Sequence, residues 1–334
     1  MRRLVLLLPA FFLAVAAAPP PPDALTPYIH LGRFDPGDYG WMRGRFADAT
    51  PAERAQTAAI EAWLDRCRSD DIARIRAELK ALGIADPKLE RFAFADPLCG
   101  AVWSIRPVTR GSFEEFQRDA AAARPVAETW LYAVRTATDV GAPRRPSVAD
   151  MLLARPLGEQ MLRRAASWGE GDMKGAPALS PGARAVLVSR ITGELAAVDH
   201  ANTEWLKRIV ATEGWPTISR VGAPASEQAW LLVQHADADP VFQLRVLRLM
   251  EPLTRSGDVS KRNYAYLYDR VMHKLTGKQR YGTQMECRNG QRAPQPLEDE
   301  ANLARERKAM DLEPLDSYLE QMRQSYGDCP PDPS

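Results

Sequence analysis

From Thr50 to the end of the chain, apolar residues recur at three- and four-residue spacing, and almost nowhere do they alternate as in a half-buried strand. That periodicity restricts the chain to a mainly α-helical fold. The start signals are explicit. Thr50-Pro51-Ala52-Glu53 supplies an N-cap, a proline at the first helical position and a capping-box glutamate. The helix it opens carries Ile60, Trp63 and Leu64 to Cys67, and a second helix is expected from Ser69. Ser112 and Glu115 form another capping box, and further helices are expected over Pro125–Ala137 and Ser147–Ala166. A long helix follows over residues 182–213, with Leu187, Ile191, Leu195, Val198, Trp205 and Ile209 near one stripe and Gly214 ending it. Residues 226–236 make a short helix that is apolar on every side, which predicts burial all round. Asp239-Pro240 starts the next helix. Tyr264, Leu267, Tyr268, Val271 and Leu275 form the stripe of another, stopped by Gly277. Only near the C-terminus does the pattern change. There Asn289-Gly290 between two short runs predicts one small β-hairpin with a type I′ turn, before two last helices.

The first 18 residues read as a secretory signal peptide: Arg2 and Arg3, an apolar stretch from Leu4 to Leu13, then small residues. No later run approaches a spanning helix, so a soluble periplasmic or secreted protein is expected, with no membrane span after cleavage. Residues 19–49 read as a proline-rich spacer and irregular segment, 50–168 as a helical N-terminal domain, 169–181 as a Gly/Pro-rich linker and 182–334 as a helical C-terminal domain. In an oxidising compartment the four cysteines imply disulfides. Their separation into two distant pairs favours Cys67–Cys99 and Cys287–Cys329 over the other two pairings. Lysine plus arginine number 44 against 43 acidic residues, with no basic block, which argues against a nucleic-acid partner.

Four motifs concentrate chemistry in the C-terminal part: Gly214-Trp215-Pro216-Thr217, Gln234-His235-Ala236-Asp237, Tyr264-Ala265-Tyr266-Leu267-Tyr268-Asp269-Arg270 and Tyr281-Gly282-Thr283-Gln284. In order and spacing they resemble an uncharacterised bacterial family of unknown function, over about residues 190–318. The resemblance implies kinship without implying a reaction.

The residues themselves suggest more. Gln234 and His235 close a helix with no polar face, so both are expected to be buried or half-buried and to need partners, with Arg270, Asp237 and Gln284 as candidates. His235 is the best candidate for a general acid or base, and Arg270 for a catalytic partner able to grip a carboxylate or phosphate. The helical wheel places Tyr266, Asp269, Arg270 and His273 opposite the apolar stripe, on a solvated face or a cleft wall. Gln234, Asp237, Tyr266, Asp269, Tyr281, Thr283 and Gln284 are the candidate ligand-binding residues. Asp239 before Pro240 reads as an N-cap, and Trp215-Pro216 as a packing corner. Asp237, Asp239, His235 and His200 could be imagined round a metal, but their spacing is that of an ordinary helix connection, and neither a metal nor another cofactor is expected. Gly-x-Ser-x-Gly, His-Glu-x-x-His, P-loop and dinucleotide motifs are absent. Two readings remain. One is a domain whose polar cleft binds a peptide, glycan or protein of the cell envelope. The other is a metal-independent hydrolase using His235 with Arg270 and Gln284.

Overall fold

The computed structural model describes residues 19–89, 94–107, 109, 111–144, 146–169 and 177–329. The expected signal peptide and most of the expected linker lie outside the described residues. The architecture is mainly α, with two small antiparallel strand pairs.

The first helix, α1 (Pro51–Ala81), opens on the Thr50/Glu53 capping box. It is continuous, where two helices were expected. Ser69 does not cap: its hydroxyl donates to the Asp65 carbonyl one turn back, a bond a serine makes inside a helix. After α2 (Pro97–Ser104), α3 (Phe113–Gly141) likewise merges two expected helices, with Pro125 in its interior. The buried stripe Phe113, Phe116, Ala120, Ala123, Ala127, Leu131 and Val134 runs unbroken past that proline. Its packing outweighs the roughly 3 kcal/mol that an interior proline costs. Ser147 caps α4 (Val148–Ala154), and Pro156 begins α5 (Pro156–Ala166).

Helix α6 (Pro181–Glu213) is the spine of the molecule. It packs against α2, α3 and α5 and, further along, against α8 (Ala223–Gln234). Two apolar cores follow from this. The first gathers Trp63, Leu64, Phe113, Phe116, Leu162 and the α6 residues Ala183–Leu195, together with Leu25, Tyr39, Trp41, Met42 and Phe46 from the segment before α1. Trp63 donates through Nε1 to the Pro19 carbonyl, fastening the start of that segment to α1. The second core takes Leu206 from α6 and, from the residues after it, Leu232, Val246, Met250, Leu267 and Leu275 among others, with Ile75 and Leu79 of α1, Leu89 and Leu152 of α4 packed into it.

After the four-residue α7 (Ile218–Val221) and α8 come α9 (Pro240–Ser256) and α10 (Lys261–Thr276), stopped by Gly257 and Gly277 in left-handed conformations. Asp239 caps α9, accepting from the Phe242 N–H at 2.9 Å. Helix α8 is not covered on all sides: Ala225, Ala229, Leu232 and Val233 are buried, while Trp230 and Leu231 are half-buried.

Near the N-terminus β1 (Ile29–His30) pairs with β2 (Arg33–Phe34). The predicted hairpin is β3 (Met285–Arg288) with β4 (Gln291–Pro294), turned by Asn289 and Gly290, both at positive φ. Helices α11 (Leu303–Ala309) and α12 (Leu315–Tyr326) complete the chain. Both expected disulfides are present, Cys67–Cys99 joining α1 to α2 and Cys287–Cys329 joining the hairpin to the tail. No helix among the described residues is long and apolar enough to cross a membrane.

Candidate functional site

His235 sits in the turn between α8 and α9, its side chain only 16 % exposed. Its partner is none of the three that its sequence context offered. Nδ1 lies 2.7 Å from Oε1 of Glu159, a carboxylate on α5 that is 0 % exposed. The other Glu159 oxygen accepts from the Asn202 amide of α6 at 3.2 Å, and Gln160 donates to Oε1 at 3.3 Å. Asn202 is itself held by Arg155, whose guanidinium stacks on Trp205. No lysine or arginine pairs with Glu159 among the described residues. A buried carboxylate needs its oxygens satisfied, and here neutral amides and the His235 imidazole stand against them.

Asp199, one turn before Asn202 on α6, completes the cluster. A carboxylate oxygen of Glu159, one of Asp199 and a ring nitrogen of His235 all lie within 4.8 Å of one another. Asp199 Oδ2 accepts from Arg163 at 2.7 Å, while its Oδ1 is buried and accepts no hydrogen bond among the described residues. Burial, opposed by Arg163 and reinforced by the negative charges of Glu159 and Asp237, pushes the Asp199 carboxyl up to about 7.

Asp237 follows two residues after His235 and belongs to a separate network. Arg270 grips it with both Nε (3.1 Å to Oδ1) and a terminal nitrogen to Oδ2, and Lys274 adds a contact of 3.0 Å. Burial opposes the ionisation of Asp237, but Arg270 and Lys274 outweigh it and hold the carboxyl well below the usual range. From α9 the fully buried Gln243 donates to the carbonyls of Val233 and Gln234, closing the end of α8. Arg270, Lys274 and Gln243 therefore fix the turn that carries His235. The side-chain oxygens of Gln234 and Gln243 are buried without hydrogen-bond partners among the described residues.

The remaining candidates are placed elsewhere. Asp269 does not face solvent: it is 0 % exposed, and its two oxygens accept the backbone N–H groups of Arg280, Tyr281 and Thr283 at 2.8–2.9 Å. Burial raises its carboxyl, with those three donors opposing. The buried Arg307 donates to the carbonyls of Tyr281 and Gly282, Tyr318 to that of Thr283, and Gln279 to that of Gln284. The 280–284 loop is thus anchored through its backbone. Gln284 bonds the Thr283 hydroxyl and makes no hydrogen bond to His235 among the described residues. Tyr266 packs edge-on against Tyr318. His200 neighbours Asp199 in sequence but is not a member of the three-residue cluster.

Sequence reasoning missed Glu159, Asp199, Asn202, Arg163 and Gln243. A usable signal existed. Asp199 and Asn202 continue the stripe Ile191-Leu195 towards Leu206, and Glu159 sits between Pro156 and Leu162 on the buried face of α5. Carboxylates on an apolar stripe are expected only where something binds them.

Residues 184–329 match the model of a family described as of unknown function (DUF6624). The match covers less than half of the chain. It takes in Asp199, His235, Asp237 and Arg270 but stops short of Arg155, Glu159 and Arg163. No curated protein and no solved structure matches.

Proposed function

We propose that this chain is an exported hydrolase whose water-activating centre is Glu159, Asp199 and His235, acting on a polar component of the cell envelope. The observation that carries the reading is the 2.7 Å contact between His235 and the fully buried Glu159, beside an Asp199 oxygen left without a partner. A carboxylate that fixes one imidazole nitrogen orients the ring and leaves the other free for proton transfer. Burying Glu159 costs stability unless it serves such a partner. The two disulfides support work in an oxidising compartment.

Relative to a hydrolase built on His235, Arg270 and Gln284, the partners change. Arg270 is a positioning residue that holds the His235 turn through Asp237, and Gln284 belongs to the anchored loop. The His235–Glu159 contact beside the Asp199 carboxylate favours hydrolysis over a binding cleft without catalysis.

The test is hydrolysis of a panel of peptide, ester, phosphoester and glycoside substrates, together with isolated envelope fragments. The expected result is turnover of at least one class, reduced about 100-fold or more in both His235→Ala and Glu159→Gln, the usual scale for loss of an acid–base group. No turnover of any class by the full chain, or turnover equal in His235→Ala, would remove the hydrolase reading.

A further inference from the structure

We infer that Glu159, Asp199 and His235 form a binding site for one divalent transition-metal ion, zinc foremost. The inference rests on the proposed hydrolytic centre and names what activates its water: with the ion bound, the metal does so and His235 acts as its ligand.

Three observations converge. Two carboxylates and one imidazole from three separate elements (α5, α6 and the α8–α9 turn) bring one donor atom each within 4.8 Å of the others. Mixed His/carboxylate sets of this kind suit zinc, whose catalytic sites use three protein ligands and leave a fourth position to water. Secondly, the pair of carboxylates is thinly matched by fixed positive charge. Among the described residues Arg163 is the basic side chain bonded to this pair of carboxylates, and it reaches Asp199 and not Glu159. Thirdly, Asp199 Oδ1 is buried and accepts no hydrogen bond among the described residues, an orphan acceptor inside a polar cluster.

The surroundings fit the same reading. Asn202 donates to the Glu159 oxygen that His235 does not use, and Arg155 in turn holds Asn202. Outer partners of this sort fix the direction of a ligand carboxylate. Asp237 is not a ligand: Arg270 and Lys274 occupy its oxygens. An ion entering the cluster would separate the Glu159 and His235 atoms now in direct contact and make both ligands of a common centre.

The experiment is calorimetric titration of zinc chloride, and separately manganese chloride, into the tag-free full chain after chelator dialysis at pH 7.5. One saturable site per chain is expected. Its affinity for zinc should fall about 100-fold or more in Asp199→Asn, His235→Ala and Glu159→Gln, since each removes a direct ligand. His200→Ala, beside Asp199 but outside the cluster, should stay within about threefold by the same reasoning. Glu159→Gln retains the side-chain shape that Asn202 contacts, and circular dichroism of each variant confirms that it folds. Titration with cobalt(II) gives an independent readout, because visible ligand-field bands report coordination directly. No saturable zinc or cobalt binding by the full chain overturns the inference. So does zinc binding that is unchanged in both Asp199→Asn and His235→Ala, or lost only in His200→Ala. Zinc binding without hydrolysis of any substrate leaves the ion site standing and removes the hydrolase. Hydrolysis that needs His235 but survives chelation, with no zinc heat, does the reverse.

Discussion

Replacing Asp269 with alanine should destabilise the C-terminal half more than any other single change to the motif residues. The carboxylate accepts three backbone N–H groups, from Arg280 at 2.8 Å, Tyr281 at 2.9 Å and Thr283 at 2.8 Å, and no water reaches it at 0 % exposure. Each buried donor left without an acceptor costs about 1–3 kcal/mol, so three set a gross loss of about 3–9 kcal/mol. Removing the carboxylate also relieves the penalty of burying its charge, which brings the net effect to about 3–5 kcal/mol. Asp269→Asn is the graded control. Its single oxygen can keep the Arg280 and Tyr281 bonds but turns an NH₂ towards the Thr283 N–H, for a loss of about 1–3 kcal/mol. Urea unfolding of the full chain measures the order alanine, then asparagine, then parent. Hydrogen exchange should locate the loss at the amides of 280, 281 and 283. A cost below about 1 kcal/mol for Asp269→Ala, with those amides still protected, would refute the anchoring role and return Asp269 to the pool of ligand contacts.

Three shorter predictions follow from the same geometry. Under native conditions a mild reductant should open Cys287–Cys329 well before Cys67–Cys99, because Cys287 is exposed whereas Cys67 and Cys99 are buried; alkylation with mass mapping reads the order. Asp237 has a depressed carboxyl, so its pairing with Arg270 and Lys274 contributes stability above the ordinary aspartate range and loses it as pH falls through the lower folded value. Asp237→Asn should therefore flatten the stability–pH curve below about pH 4, and an unchanged acid limb would contradict the network. A fragment spanning 179–334 loses Ile75, Leu79, Leu89 and Leu152 from the second core and uncovers the α6 face at Ala183–Leu195, so it should melt well below the full chain; equal melting temperatures would show that those contacts contribute little.

Local signals carried much of the architecture. The capping boxes at Thr50 and Ser112, the Asp239 cap, the glycine stops at 214 and 277 and the Asn289-Gly290 turn are each decided within a few residues, and the structure has all of them. The continuity of α1 and α3 was not legible, because it depends on packing that outweighs Ser69 and Pro125. The wheel placed Asp269 outside, since a helical period cannot show that a loop 11 residues later will fold back over that face. The site was half legible. His235 stood out as a polar end to an apolar helix, but its partner Glu159 lies 76 residues earlier, on a different helix. That pairing is a property of how α5, α6 and α8 pack, and no spacing rule within one segment encodes it.

The central claim is that side chains from α5, α6 and the α8–α9 turn form one cation-holding centre. Crystals of the full chain grown with zinc, measured on both sides of the zinc absorption edge, test it most directly. An anomalous peak about 2.0–2.2 Å from a Glu159 oxygen, an Asp199 oxygen and a His235 ring nitrogen is the result predicted. A map with no peak among these three residues at saturating zinc, or with the ion seated on Asp237 or His200 instead, would contradict it.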